Sequence, residues 1–174
     1  SEHIAAAAKI NTVVDDMRDM IGEVDAVLLA RDDAENHADM AKPFIEAGLP
    51  VFIDKPLALT LQESEKIMSW RKYESQVFTC SAMRYAKELM LSSEDREVLG
   101  KILYVEAAVM KEWNTYGIHL LEPFVFQLEN RGNLLKVESI KNNEIQQTLV
   151  QWENVSAYLK VTGDIVEPYS IKFF

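Results

Sequence analysis

Apolar and polar positions along the first half of this chain fall into short blocks whose period keeps changing. Residues 24–30, Val24-Asp25-Ala26-Val27-Leu28-Leu29-Ala30, form an apolar run of strand length, the pattern of a parallel strand covered on both faces. Before it, residues 15–22 begin with acidic positions and close on Gly22, which predicts a helix. After it, Asn36 stands where a cap belongs, and His37, Ala41, Phe44, Ile45 and Gly48 recur at helical spacing. Pro43 inside that pattern removes a backbone donor at a cost of about 3 kcal/mol, which predicts a kink or a late start. The run 50–53 predicts the next strand. Thr60, with Glu63 three positions on, predicts a capping box opening a helix that carries Leu61, Ser64, Ile67, Met68 and Trp70, and residues 76–80 predict a third strand. Strands alternating with helical crossovers are the pattern of a doubly wound parallel sheet.

Past residues 82–88 strands dominate. In 102–110, Leu103, Val105, Ala107 and Val109 alternate toward a core while Tyr104, Glu106 and Met110 face away. Residues 133–140, 145–152, 156–161 and 169–174 read as further strands, with turns at Asn142-Asn143 and Thr162-Gly163-Asp164. One helix, 116–130, carries an apolar stripe of Ile118, Leu121, Val125 and Leu128. The expected fold is α/β: a partial Rossmann-like parallel sheet over residues 1–82, then an α+β domain with a mostly antiparallel sheet over residues 83–174. A nucleotide-binding sheet of this type opens with a strand and a glycine-rich turn, and no G-x-G-x-x-G occurs here, so the chain reads as starting mid-domain and as a weak binder of a dinucleotide by itself.

Composition narrows the class of partner. With 174 residues, 48% apolar and 26% charged, the chain can bury a real core. Its formal charge of −10 repels a phosphate backbone, and nothing clusters Lys and Arg with aromatics, which argues against nucleic acid. No apolar run approaches the roughly 20 residues that span a membrane, and Ala5 to Ala8 is too short for a signal peptide, so a cytoplasmic protein without a membrane partner is expected. One cysteine, Cys80, has no second to pair with, and three scattered histidines offer no metal-ligand spacing.

Two residues stand out as chemistry. Lys55 follows the strand 50–53 in Asp54-Lys55-Pro56, delivered by a buried strand onto a proline-fixed turn. A lysine held away from water is a candidate proton carrier, because desolvation favours the neutral amine; a strand-end lysine reaching out to water fits the same pattern. His119 lies one position off the apolar stripe, at the edge of the core, with Tyr116 and Glu122 three residues to either side. His37 reads as a loop-packing residue, and His3 has no assigned role.

Taken together, these segments resemble the Gfo/Idh/MocA oxidoreductases, the family of glucose-fructose oxidoreductase and inositol dehydrogenase. The resemblance rests on Asp25-Ala26-Val27-Leu28-Leu29, His37, Glu46-Ala47-Gly48, Asp54-Lys55-Pro56-Leu57-Ala58, Arg84, Gly100-Lys101-Ile102 and Gly117-Ile118-His119-Leu120, in that order. It implies an NAD(P)-dependent dehydrogenase when complete, moving a hydride between NAD or NADP and a sugar or cyclitol hydroxyl. By position, Lys55 would bond the reacting hydroxyl and relay protons, His119 would be the general base, and Tyr116 could supply a hydroxyl donor. The cofactor would meet Ala30, Arg31, Asp54, Lys55, Pro56 and Arg84. The lysine-proline bond is often cis in the family, and members often assemble as homo-oligomers through the open sheet, for which the Gln146, Thr148, Val150 and Trp152 face is a candidate. Three positions depart from the family pattern: Thr115 stands where an aspartate is usual, Arg31-Asp32-Asp33 replaces threonine-proline, and Asp54 replaces glutamate. A non-catalytic sugar-binding or assembly subunit of the same fold is the alternative. The dehydrogenase expectation requires Lys55 and His119 to serve one cleft.

Overall fold

Three short strands, β1 (Val27–Leu29), β2 (Val51–Ile53) and β3 (Val77–Phe78), run parallel in sequence order within the first of two units, Ser1–Thr79 and Cys80–Phe174. The computed structural model describes residues 2–174. Helix α1 (Glu2–Ala8) precedes the strands, α2 (His37–Ala47) links β1 to β2, and α3 (Leu61–Ser69) links β2 to β3. Phe44, Ile45 and Ile67 from these crossovers bury against Val27, Val51, Ile53 and Val77. The sheet is covered on that face. The other face carries Leu28, Phe52 and Phe78 side by side in the strand register, with Leu28 77% exposed, so burial on both faces of the 24–30 run is not what forms.

Local signals held unevenly. The helix expected over 15–22 is a single 3₁₀ turn, Met17–Met20, capped by the Asp16 carboxylate; four residues do not repay the nucleation cost of a longer helix. α2 starts at His37 and continues through Pro43, so no late start occurs, and Asn36 turns its amide to Asp33 instead of capping the helix. Gly48, at φ 91°, closes it in the left-handed conformation that glycine adopts without penalty. Thr60 Oγ1 accepts the Glu63 backbone N–H at 3.1 Å, but its hydroxyl engages the Glu63 carboxylate, so half of the expected capping box forms.

The second unit opens with two 3₁₀ turns and helix α4 (Ser93–Leu99), held by a full capping box between Ser92 and Asp95 that the strand-dominated reading of this region passed over. Its sheet comprises β4 (Tyr104–Val109), β5 (Leu134–Asn142), β6 (Ile145–Trp152), β7 (Ser156–Val161) and β8 (Ser170–Phe173), ordered β5-β6-β7-β4-β8. All pairs are antiparallel except β4 with β7. Helix α5 (Trp113–Val125) lies on one face, beginning three residues before the expected start at 116. It buries Gly117, Leu120 and Phe124, continuing to Leu128, and leaves Ile118, Leu121 and Val125 half-buried. The helix is apolar around much of its circumference, so periodicity alone did not choose the face; the sheet did. Leu103, expected inside, is 56% exposed and precedes β4. Thr148, Val150 and Trp152 face inward with Val105, Ala157 and Leu159, and Trp152 meets Phe124 edge-on. That face is core, not an assembly patch. β5 is exposed along its whole length.

Candidate functional site

At the carboxyl end of β1 the chain turns through Ala30, Arg31, Asp32 and Asp33. The Arg31 guanidinium donates twice to the Asp33 carboxylate, both at 2.8 Å, and the Asn36 amide adds a third bond at 2.9 Å. The Arg31 bond, seconded by Asn36, holds the Asp33 carboxyl well below the usual carboxylate range, and the same pairing raises Arg31. One of the two acidic charges of this loop is thus offset locally.

His37, in the first turn of α2, is fully buried. Its Nε2 lies 2.9 Å from the Arg31 carbonyl and its Nδ1 lies 3.1 Å from the Pro56 carbonyl. Both partners are acceptors, so a neutral ring satisfies one of them and a doubly protonated ring satisfies both. The buried imidazole thus lies between the loop after β1 and the loop after β2, within hydrogen-bond distance of a carbonyl in each. The Asp54 N–H donates to the Leu29 carbonyl at 3.0 Å, Lys55 is half-buried, and the Lys55–Pro56 peptide is cis. Ala30, Arg31, Asp54, Lys55 and Pro56 therefore all sit at the carboxyl ends of parallel strands, where open α/β sheets take their ligands. The glycine turn that seats a pyrophosphate does not occur in the 174 residues.

In the second unit α5 places Tyr116 and His119 one turn apart, with ring centroids 5.3 Å apart in an edge-on contact. Ser81 Oγ lies 2.6 Å from His119 Nδ1, and the Tyr169 hydroxyl donates to the His119 carbonyl at 2.9 Å. Half-burial pushes the Tyr169 phenol up to about 12. Glu122, one turn beyond His119, accepts the Ser81 backbone N–H and pairs with Arg84 at 3.8 Å, while the Arg84 guanidinium stacks 4.8 Å above Phe126. Arg84 is thus anchored inside this unit. Near the start of α5 a cavity of about 440 Å³ is lined by Trp113, Thr115 and Tyr116, with Lys111, Lys141 and Glu144 around it. Tyr116 faces both the cavity and His119; His119 is not among the lining residues. Gly117 permits this arrangement, since a Cβ there would meet the Trp113 indole at 3.0 Å. Ser81 and Tyr169 were not visible as site residues in the sequence, because they reach His119 from 38 and 50 positions away. Glu122 was, by its helical spacing.

Comparison with known proteins bears on the first unit most directly. Residues 1–81 match a family described as an oxidoreductase family with an NAD-binding Rossmann fold. Among curated proteins, the chain is 27% identical over 167 residues to glycosyl hydrolase family 109 protein 1 of Bacteroides thetaiotaomicron, an alignment that takes in 84% of this chain and 35% of that protein. Among solved structures, an NAD-binding protein from Listeria innocua is 20% identical, with a TM-score of 0.77 over 98% of this chain and 60% of its own. Levoglucosan dehydrogenase, solved with NADH and levoglucosan, is 15% identical with a TM-score of 0.77, covering 99% of this chain and 58% of its own. UDP-N-acetylglucosamine 3-dehydrogenase from Acidithiobacillus ferrooxidans is 16% identical with a TM-score of 0.74, covering 99% and 61%. At these identities the structures speak for the fold. The chain spans about three fifths of their lengths and 35% of the curated relative.

Proposed function

We propose that this chain, whose residues 1–81 match the Gfo/Idh/MocA oxidoreductase family, is part of an NAD(P)-dependent dehydrogenase acting on a sugar or cyclitol hydroxyl. The observation that carries this reading is the placement of Lys55 at the carboxyl end of the middle parallel strand, on a turn pinned by buried His37, inside the stretch that matches the family. Lys55 bonds the reacting hydroxyl, His119 takes its proton, and Tyr116 adds a donor to the developing alkoxide. Ala30, Arg31, Asp54, Pro56 and Arg84 are the proposed cofactor contacts. The nicotinamide, when bound, supplies the hydride acceptor. Sugar-processing names among the structural relatives support the substrate class, and they do not favour a non-catalytic assembly role.

The test is turnover by the full-length protein carrying this chain, with a panel of sugars and cyclitols, read by absorbance of the reduced nicotinamide. Lys55→Ala and His119→Ala are each expected to lower kcat by about 10²–10⁴ while the protein stays folded. Unchanged turnover in both sinks the assignment. The curated relative favours a second reading, glycoside hydrolysis. Release of nitrophenol from nitrophenyl glycosides, without net reduced nicotinamide, would select it. A homo-oligomer through the exposed edge strand β5 completes the proposal, and sedimentation that stays monomeric at every concentration would remove that part.

A further inference from the structure

We propose that Ser81 is the positioning residue of His119, fixing the ring so that the substrate proton is exchanged at Nε2; this rests on the dehydrogenase reading above. Ser81 is fully buried and is itself held from two sides. Its Oγ accepts the Met83 N–H at 3.1 Å, its backbone N–H donates to the Glu122 carboxylate, and Glu122 is steadied by Arg84, which stacks on Phe126. Oγ then sits 2.6 Å from His119 Nδ1. The same histidine is braced at its ring by Tyr116 and at its carbonyl by Tyr169.

A serine hydroxyl suits a base that changes charge each cycle. It has one proton and two lone pairs, and Met83 occupies one lone pair. When Nδ1 bears a lone pair, the hydroxyl proton rotates toward it; when Nδ1 bears a proton, the remaining lone pair of Oγ accepts it. The contact therefore survives both states of the ring. In the oxidation step the substrate O–H bond breaks and its proton passes to Nε2 of a ring already protonated at Nδ1, while the C–H electron pair leaves as hydride for NAD(P)⁺ and the carbinol becomes a carbonyl. The imidazolium keeps its Nδ1–H bond to Ser81. Without that partner the ring loses the contact that fixes its orientation, and a base turned away from the substrate proton is a poor one.

In the full-length protein, Ser81→Ala is expected to lower kcat about tenfold or more with KM changed less than about twofold, and Ser81→Thr, which keeps the hydroxyl, to restore most of it. In a His119→Ala background Ser81→Ala should add no further loss, which separates ring positioning from the cap that Ser81 gives the turn Ala82–Tyr85. Ring-nitrogen NMR, assigned with His119→Asn, should show a hydrogen-bonded Nδ1 in the wild type and loss of that bond in Ser81→Ala. If Ser81→Ala does not fold, Ser81→Thr and the wild-type spectrum still decide. A protein that oxidises no sugar yet shows the ring fixed only when Ser81 is present sinks the dehydrogenase reading and leaves this assignment standing. An Nδ1 without a bonded partner in the wild type, an unchanged kcat in Ser81→Ala, or additive losses in the double variant overturns it.

Discussion

His37 shows how much one side chain decides in the first unit. It packs fully buried between two loops, its ring nitrogens within hydrogen-bond distance of the Arg31 and Pro56 carbonyls. Replacing it with alanine opens a cavity and removes the donor between these carbonyls, so His37→Ala is expected to lower stability by about 2–4 kcal/mol in denaturant unfolding and to weaken the order of the Lys55 turn. A loss below about 0.5 kcal/mol would mean the ring is not what ties these loops. Tyr169 offers a pH signature in the second unit. Its phenol is raised to about 12, against an ordinary value near 10, so the folded state favours the protonated form. That contribution is fully present below pH about 10 and is lost as pH rises toward 12. Tyr169→Phe should therefore flatten the alkaline decline of stability without abolishing it, because burial raises Tyr104 in the same direction. An alkaline decline identical in wild type and variant would refute this. Sequence reading nominated Lys55 and His119 by residue type and position; it could not see Ser81 or Tyr169, whose relevance is made by contacts across the fold.

Elements were readable where one local signal dominated. The range 145–152 for β6 and 156–161 for β7 came out as observed, because strict alternation in each buries one face and fixes its limits. For α5 several apolar positions competed, and the buried face runs through Leu120 and Phe124 instead of Leu121 and Val125. Leu120→Ala is accordingly expected to cost about 3–4 kcal/mol and Leu121→Ala about half that, measured by chemical denaturation. Equal losses would restore the stripe drawn from sequence. Thr60→Ala tests the start of α3, with an expected loss of about 1 kcal/mol from the freed Glu63 N–H. The parallel pairing of β4 with β7 was beyond local reasoning, since residues 104 and 156 are brought abreast only by the path of the intervening chain.

At the scale of the whole molecule, both sheets present apolar surface to solvent. Leu28 and Phe78 are 77% and 46% exposed on the uncovered face of the parallel sheet, beside Phe52, while β5 exposes Leu134, Leu135, Val137 and Ile140. Contiguous apolar surface of this kind binds hydrophobic dyes and other apolar faces. The 174-residue chain should therefore enhance the fluorescence of such a dye, and Leu28→Lys with Phe78→Lys should reduce the signal; no dye response would contradict the exposure. With 28 acidic against 18 basic residues, added salt should strengthen the proposed self-association through β5 by screening like charge. The order of the strands, the change from parallel to mostly antiparallel pairing, and the lysine and histidine as candidate chemistry followed from the sequence itself, because side-chain period, turn residues and proline constraints act within a few neighbours. Which face of α5 is buried, what covers each face of the two sheets, and which serine holds the histidine were settled only by tertiary structure, because packing area and hydrogen-bond partners belong to segments far apart along the chain.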